Sequence, residues 1–244
     1  MTSIGILGSE GRMGRAIAAL AGEASVTLAG GVDRDGDAAA LAQASDVLID
    51  FSWLEALEAN LEAAIAARKP IVIGTTGLEE RHHWLIDEAA SDIAVLQTGN
   101  TSLGVTMLAR LVREAAARLG PDWDIEIAEM HHRHKVDAPS GTALLLGEAA
   151  ARGRSIELGD TSVRGRDGVT GPRAPDAIGF ASLRGGSVVG DHQVIFAGED
   201  ERIVLGHVAE DRRVFARGAL RAAVWLTAQA PGRYAMDDVL GLPA

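Results

Sequence analysis

Short apolar runs alternate with amphipathic segments through the first hundred residues. The apolar runs are rich in β-branched and aliphatic residues, which favours strands, and they lie at 2–8, 26–33, 46–52, 70–77 and 93–100. Between them, apolar residues recur at helical spacing in the stretches 12–23, 55–69 and 79–90. Strands separated by helices of this length predict right-handed βαβ units and an α/β domain of the Rossmann type, with a doubly wound parallel sheet.

The pattern changes after Asn100. It predicts a helix at 103–119, an alternating strand at 123–131, a helix at 142–153, a long Gly- and Arg-rich loop at 154–178 and three alternating strands that end near residue 210. These elements predict an α+β second domain with an open mixed sheet, whose uncovered edges favour oligomerisation.

The last amphipathic stretch, 213–229, is expected to return to the first domain. The predicted organisation is therefore a dinucleotide-binding domain from 1–102 and 213–244, and a substrate-binding and oligomerisation domain from 103–212.

The formal net charge is −11, from 23 basic and 34 acidic residues. Nucleic acid and anionic membrane surfaces repel such a chain, so neither is an expected partner. The absence of cysteine excludes disulfides, thiol catalysis and cysteine–zinc sites. No apolar run reaches the roughly 18–20 residues that span a bilayer, and the first residues lack a basic signal-peptide region, so a cytoplasmic protein is expected.

A glycine-rich turn joins the first predicted strand to the first predicted helix. In GILGSEGRMG, Gly8, Gly11 and Gly14 would let backbone amides approach a pyrophosphate at the helix N-terminus. The spacing is G-x-x-G-x-x-G rather than the usual G-x-G-x-x-G, so a turn without a ligand is the alternative. Asp33 favours nucleotide binding, because it ends the second predicted strand, where an acid commonly accepts the ribose hydroxyls.

Two further loops, IGTTG at 73–77 and TGNTS at 98–102, end the fourth and fifth predicted strands. Ligands of open α/β sheets bind at the carboxyl ends of strands, so these hydroxyl- and amide-rich loops suit the nicotinamide end of a dinucleotide. Ordinary turn chemistry and helix capping is the alternative.

The stretch EMHHRHKVDAPSGTA, 129–143, places five potentially cationic side chains in a row from His131 to Lys135. A solvated basic loop is the commonest origin of a charge run. Zinc is disfavoured, because His131 and His132 are neighbours that point in opposite directions on an extended chain, and no cysteine or H-E-x-x-H helix is present.

The third interpretation of this loop is a carboxylate site. Ser140, Gly141 and Thr142 lie where an Ala/Leu helix begins, and a helix N-terminus favours anions. A histidine and a lysine would be at hand for proton transfer. We therefore expect the loop to bind an anionic substrate and to protonate it.

The stretch E-x-H-H-R-H-K-V-D-A-P-S-G-T-A resembles the signature of the bacterial 4-hydroxy-tetrahydrodipicolinate reductases, formerly dihydrodipicolinate reductases, of the lysine and diaminopimelate pathway. The resemblance covers nearly the whole chain, because the family's other motifs occur in order: GxxGRMG, IDFS, GTTG, NTSLGV, IGFASLRGG, VVGDH and FARGALRAAVWL. It implies a homotetramer joined through the second domain's sheet. It also implies that 4-hydroxy-tetrahydrodipicolinate is reduced with NAD(P)H, via dihydrodipicolinate, to tetrahydrodipicolinate, by hydride transfer to ring C4 followed by protonation.

The resemblance also implies roles for individual residues. His131 would be the proton donor and Lys135 its partner, and His132, Ser140, Gly141 and Thr142 would hold the substrate. The dinucleotide would contact Gly8, Ser9, Glu10, Gly11, Arg12, Met13, Asp33, Arg34, Gly74, Thr75, Thr76, Thr98, Gly99, Asn100 and Thr101. No metal is expected.

Three features depart from the family's usual pattern. The stretch between Asp33 and Asp46 is short, so a helix and a strand of the first domain are candidates for loss or trimming. Thr101 stands where phenylalanine is common, and Trp53 stands where a smaller residue or proline is common.

The acids around the glycine turn predict a preference for NADH, with NADPH as a second substrate. Asp33 would oppose a 2′-phosphate and Glu10 would add a second negative charge, whereas Arg34 and Arg12 could reach that phosphate. Two other functions stay open: another two-domain dehydrogenase of amino or hydroxy acids, and a non-catalytic NAD(H)-binding protein.

Four histidines lie outside the basic loop. His82 and His83 share a predicted helix with acids and are expected at the surface. His192 and His207 lie in predicted strands and are interpreted as structural or close to an interface.

Overall fold

The structure, a computed structural model, describes residues 1–23 and 26–242. Its strands are β1 (Ser3–Leu7), β2 (Thr27–Val32), β3 (Val47–Asp50), β4 (Ile71–Ile73), β5 (Ala94–Gln97), β6 (Asp124–His131), β7 (Ser162–Val163), β8 (Ile178–Arg184), β9 (Gly190–Ala197), β10 (Arg202–Ala209) and β11 (Gly232–Tyr234). Its helices are α1 (Arg12–Leu20), α2 (Ala38–Ala44), α3 (Leu57–Ala67), α4 (Glu80–Ala89), α5 (Leu103–Leu119), α6 (Gly141–Arg154), α7 (Leu158–Thr161), α8 (Arg213–Leu226) and α9 (Met236–Val239), with a 3₁₀ turn at Leu54–Ala56.

Contacts within the chain divide it into two units. The first comprises Met1–Leu103 and Arg213–Ala244, and the second comprises Gly104–Arg212.

A parallel sheet of six strands, in the order β11-β5-β4-β3-β1-β2, forms the centre of the first unit. All residues of β3 and β4 are buried, as expected for strands covered on both faces. Because β1 lies between β2 and β3, the loops that follow these three strands meet at one edge of the sheet. The predicted doubly wound sheet is confirmed.

Helices cover both faces of this sheet, and each face has its own apolar core. One core joins α1, α8 and α9 to the face that carries Val47 and Ile49 of β3. The other joins α2, α3 and α4 to the face that carries Leu48. None of the helices within the described ranges is long and apolar enough to cross a membrane.

The second unit contains a mixed sheet in the order β10-β9-β6-β8-β7. β6 pairs antiparallel with β9 and parallel with β8, and α6 lies between β6 and β8 in the chain. Alternate residues of β6 are buried, from Ile125 to His131, under a core that includes side chains of α5 and α6. The predicted mixed sheet is confirmed as well.

Several local predictions were wrong or incomplete. A helix is not lost after Asp33, because α2 is present, and the Asp37 side chain caps it by accepting a hydrogen bond from the Ala40 N–H. The stretch 154–178 is not wholly a loop, since it contains α7 and β7. β11 escapes prediction because three residues, Gly-Arg-Tyr, carry no apolar alternation.

His82 is buried, which contradicts its expected place at the surface. Its Nδ1 accepts a hydrogen bond from the backbone N–H of Glu79 at 2.9 Å and so caps α4. His83 is partly exposed, and its Nδ1 accepts a hydrogen bond from Arg233.

Candidate active site

The glycine turn after β1 is held close to the ends of β2 and β3. Gly8 has a left-handed φ of +80°, and its N–H donates to the carbonyl of Val32 at 2.9 Å. A Cβ on Gly8 would lie 2.7 Å from the carbonyl oxygen of Phe51, and one on Gly14 would lie 2.3 Å from that of Gly8. Gly11 is the N-cap of α1, without a side-chain cap. The N–H groups at the start of α1 are therefore of the kind that binds a pyrophosphate.

The remaining predicted residues around the turn lie on α1 or beside Asp33. Arg12 and Met13 form the first turn of α1. The N–H of Glu10 donates to Oδ2 of Asp33 at 2.8 Å, which fixes that carboxylate beside the turn. The Glu10 carboxylate is 3.0 Å from the Arg15 guanidinium, and both side chains are largely exposed. Asp33 is therefore the acid that the backbone holds in place.

A cavity of about 280 Å³ opens at the end of β1. Gly8, Asp33, Arg34 and Trp53 are among its lining residues. The guanidinium of Arg34 lies over the Trp53 ring, 4.8 Å from the ring centroid. The cavity fits an adenosine group, because it offers a carboxylate for ribose hydroxyls beside a flat aromatic and guanidinium surface for a base.

Beneath this cavity lies a buried carboxylate that sequence reasoning missed. Asp50 ends β3 and accepts hydrogen bonds from the Ser52 N–H at 2.8 Å and from Asn60 at 3.1 Å. Thr75 Oγ1 lies 3.5 Å from the same carboxylate. Burial raises the pKa of Asp50, and the hydrogen bonds from Ser52, Asn60 and Thr75 oppose that rise. The group ties the IDFS segment to the GTTG loop.

The two strand-end loops that were predicted to face nicotinamide lie next to each other, because β4 and β5 are neighbours. In the first, a Cβ on Gly74 would lie 2.2 Å from the ring of Phe51. In the second, Thr98 Oγ1 donates to the carbonyl of Asn100 at 2.8 Å. The Thr101 hydroxyl donates to the carbonyl of Phe215 at 2.7 Å, and its side chain is buried. Thr101 thus holds its loop to α8.

In the second unit, His131 ends β6 and is buried. Its Nδ1 lies 2.6 Å from Oε2 of Glu129. Arg184 donates two hydrogen bonds to the same carboxylate, at 2.8 and 2.9 Å. His192 packs edge-on against the His131 ring, with centroids 5.0 Å apart. His131 therefore lies in a buried polar cluster and not in a solvated loop.

The start of α6 belongs to the same cluster. Ser140 is the N-cap, and its Oγ accepts a hydrogen bond from the Ala143 N–H at 3.1 Å. The Ser140 N–H donates to Oε1 of Glu129 at 3.2 Å, and Ser140 Oγ lies 3.1 Å from Nε2 of His192. Gly141 and Thr142 form the first helical turn. The structure thus brings His131 and the predicted helix start together.

His132 and Lys135 lie on the loop between β6 and α6, which also carries Asp137. Nε2 of His132 is 2.8 Å from Nη2 of Arg212, which can only donate. Desolvation lowers the pKa of His132, and the charge of Arg212 lowers it further. The Lys135 ammonium is 2.8 Å from Oδ1 of Asp137, so it pairs with an acid two residues away.

Glu129, Arg184 and His192 were missed as functional residues. Glu129 could have been found, because it precedes His131 by two residues in a strand and so shares its face. Arg184 and His192 come from β8 and β9, and only the sheet register reveals their place. His192 packs against His131 in the candidate site, and its interpretation as structural or close to an interface stays a prediction.

Within the residues that the structure describes, no group of three or more His, Asp or Glu side chains is placed to hold a metal ion. A glycine turn with a fixed acid in one unit and an acid–base cluster in the other define a two-domain, nicotinamide-dependent oxidoreductase.

Comparison with known proteins identifies the family. The model of the dihydrodipicolinate reductase N-terminus matches residues 2–101, and that of the C-terminus matches residues 104–240. The 4-hydroxy-tetrahydrodipicolinate reductase of Zymomonas mobilis is 60% identical over 98% of this chain and 97% of its own. That of Caulobacter vibrioides is 53% identical over 98% of this chain and 96% of its own. The chain belongs to the dihydrodipicolinate reductase family.

Solved structures agree with the fold. The dipicolinate-bound dihydrodipicolinate reductase of Paenisporosarcina sp. TG-14 has a TM-score of 0.79 at 21% identity, over 96% of this chain and 97% of its own. A probable dehydrogenase of Thermotoga maritima has a TM-score of 0.64 at 14% identity, over 97% of this chain and 92% of its own.

Proposed function

We propose that this chain reduces 4-hydroxy-tetrahydrodipicolinate, via dihydrodipicolinate, to tetrahydrodipicolinate with NAD(P)H, in lysine and diaminopimelate biosynthesis. Relatives that are 53–60% identical over nearly their whole length bear the name of this reductase. The observation that carries the proposal is the place of His131, which is buried beside the capped start of α6 within a run of basic residues.

The 4-hydroxyl group of the substrate leaves as water to give dihydrodipicolinate, and the reduction of dihydrodipicolinate then requires a hydride and a proton. When bound by the glycine turn and Asp33 of the first unit, a nicotinamide dinucleotide would supply the hydride to ring C4, and the substrate would be left as an enamine. His131 donates the proton that completes the reduction, and Lys135 assists by adding positive charge to the loop. A general acid in place contributes roughly 10²–10⁴-fold to the rate.

The substrate's carboxylates bind where positive charge and N–H groups converge. The N-terminus of α6 supplies the helix dipole, and a Cβ on Gly141 would meet no neighbouring atom within 4 Å among the described residues. Arg212 adds a permanent charge beside His132. Gly141, Thr142 and His132 are therefore the residues we assign to substrate binding.

NADH is the preferred form of the cofactor in this proposal. The Glu10 N–H holds the Asp33 carboxylate at the end of β2, where it opposes a 2′-phosphate. Glu10 is paired with Arg15, so its charge repels a 2′-phosphate less than that of Asp33 does. Arg34 lies over Trp53, which competes with a phosphate for the guanidinium. NADPH remains usable because both Arg34 and Arg12 are exposed.

The expected assembly is a homotetramer joined through the sheet of the second unit. Register places Leu183, Val204 and Val208 on the face opposite His131, and 51%, 54% and 63% of these side chains are exposed. An exposed apolar sheet face is typical of a subunit interface. Sedimentation of the wild type and of Val204→Glu tests this, since the charge should dissociate the assembly.

The activity is tested by following NADH absorbance with aspartate semialdehyde, pyruvate and the preceding synthase. Steady loss of absorbance is expected. A protein that only binds NAD(H) would show none, whereas a dehydrogenase that reduces pyruvate or the semialdehyde directly would oxidise NADH without the synthase; for this chain the loss should require the synthase. His131→Ala and Lys135→Ala should each lose mainly kcat, roughly 10²-fold or more for His131, with unchanged NADH binding.

His83→Ala is the matched control, because His83 contacts Arg233 on the first unit. It should keep wild-type turnover. Full turnover in both His131→Ala and Lys135→Ala would exclude the assigned acid.

A further inference from the structure

A buried carboxylate lies directly behind the proposed acid. Glu129 precedes His131 by two residues on β6, so both side chains share the buried face of the sheet. Only 2% of Glu129 is exposed, yet its two oxygens accept four hydrogen bonds. The donors are His131 Nδ1, the Ser140 N–H and both terminal nitrogens of Arg184. Burial by itself would raise the pKa of Glu129, but its hydrogen bonds, those from Arg184 and His131 above all, outweigh burial and lower that pKa to about 2.

An ionised carboxylate can only accept hydrogen bonds. Nδ1 of His131, 2.6 Å from Oε2 of Glu129, must therefore carry a hydrogen in both the neutral and the cationic ring. The nitrogen that gains and loses a proton is then Nε2. A Cβ on Gly190 would lie 3.0 Å from Nε2, so the glycine leaves that nitrogen room.

The other charged or titratable groups around His131 do not replace Glu129. His192 packs against the ring, and burial, followed by the charge of His131, lowers its pKa to about 4, so it is neutral near pH 7. Arg184, Lys135 and His132 are basic or neutral. Glu129 is thus the negative charge that contacts the ring.

We propose that Glu129 is the positioning residue of this reductase: it holds His131 in the Nδ1–H form and stabilises the imidazolium that donates its proton from Nε2. This inference rests on the proposed role of His131 as the acid. It adds a second residue that orients the acid and supplies the negative charge in contact with its ring.

Arg184 extends this arrangement to the loop that carries Lys135. The same Nη2 that binds Glu129 also donates to the carbonyl of Asp137 at 2.7 Å. The Asp137 carboxylate pairs with Lys135 at 2.8 Å. One guanidinium therefore fixes the carboxylate behind His131 and the backbone beside Lys135. Lysine at position 184 keeps the charge but cannot make the paired hydrogen bonds.

The test compares Glu129→Gln and Glu129→Asp across the pH profile of kcat, at saturating NADH, from about pH 5 to about pH 10. Without the negative charge the imidazolium is less stable, so the basic limb of Glu129→Gln should move down by about one pH unit. Its kcat at neutral pH should fall roughly 10- to 100-fold. Glu129→Asp keeps the charge, so its basic limb should stay near that of the wild type.

Glu126→Gln is the matched control. Glu126 lies on the same strand, on the opposite face, and pairs with Arg166 and Arg173. A general effect of losing an ion-paired carboxylate from β6 would appear in this variant too. Its basic limb and kcat should match those of the wild type.

A second measurement does not depend on activity. In wild-type protein with ¹⁵N-labelled histidine, the His131 resonances should show a protonated Nδ1 throughout and an Nε2 that titrates. A neutral wild-type ring protonated at Nε2 would overturn the inference, as would an unmoved basic limb in Glu129→Gln. Full turnover in His131→Ala would instead show that His131 is not the acid. Failure of the proposed function and failure of this inference are therefore distinguishable.

Discussion

The guanidinium carbon of Arg34 lies 4.8 Å from the centroid of the Trp53 ring. Arg34 follows β2 and Trp53 follows β3, so the contact joins two loops at the rim of the cavity that also contains Asp33. A cation over an aromatic face gains about 0.5–1 kcal/mol at an exposed site. The same guanidinium is, with that of Arg12, one of the two that could meet a 2′-phosphate, so Trp53 bears on cofactor preference.

Replacing Trp53 should therefore shift the preference towards NADPH. In Trp53→Leu the guanidinium is released, and kcat/KM for NADPH relative to NADH should rise by about 2- to 5-fold, the value of the lost contact. Trp53→Phe retains a ring and is the matched control. Steady-state kinetics with each cofactor measure the ratio. An unchanged ratio in the leucine variant would show that Arg34 does not reach the phosphate.

The charge of Asp33 should produce the wild-type preference for NADH. Two unit charges about 5 Å apart at an effective dielectric near 20 interact by roughly 3 kcal/mol, or up to about 100-fold in affinity before solvent screening. Asp33→Ser removes that repulsion, so its kcat/KM for NADPH should rise and that for NADH should fall. A wild type several-fold better with NADPH, or a serine variant with the same preference, contradicts the assignment.

The glycines of the turn should differ in what they do. A Cβ on Gly14 would lie 2.3 Å from the Gly8 carbonyl oxygen, whereas one on Gly11 would lie 3.2 Å from it. Gly14→Ala should therefore lower the free energy of unfolding by about 1–3 kcal/mol, as overpacking does. Gly11→Ala should lose less stability than Gly14→Ala but raise KM for NADH, because its methyl group would lie beside the N–H groups at the start of α1 that are expected to bind the pyrophosphate. Urea unfolding and kinetics on both variants separate the two effects.

Two buried carboxylates should give opposite pH dependences of stability. Burial raises the pKa of Asp50, so the folded state binds more protons than the unfolded state above the ordinary value of 3.8. The stability of the wild type relative to Asp50→Asn should therefore fall as pH rises above about 3.8. Glu129 has a pKa lowered from 4.5 to about 2, so the wild type relative to Glu129→Gln should gain stability over that interval.

Urea unfolding of the wild type and the two variants at several pH values measures both differences. Equal slopes for the two variants would contradict the pKa directions on which the prediction depends.

The sequence by itself determined the features that depend on local pattern. Apolar periodicity located the longer strands and helices of both units, since a strand and a helix each impose a period on neighbouring residues, but it missed the short elements α2, α7, α9, β7 and β11. The glycine turn, Asp33 and the start of α6 at Ser140 were predicted for the same reason, because each requires particular residue types at short spacing. The basic loop could be recognised because it concentrates positive charge in a chain that is acidic as a whole.

The tertiary structure alone decided which distant side chains meet. Arg184 lies beside His131 because β8 pairs with β6 in one register, and His192 reaches Ser140 across 52 residues of sequence. A shift of one residue in either pairing would turn those side chains to the other face, and the alternation of apolar residues does not name a partner strand. His82 shows the same limit, since its neighbours predicted a surface while its Nδ1 was needed to cap α4. Contacts of this kind depend on sheet register and long-range packing, which no local pattern encodes.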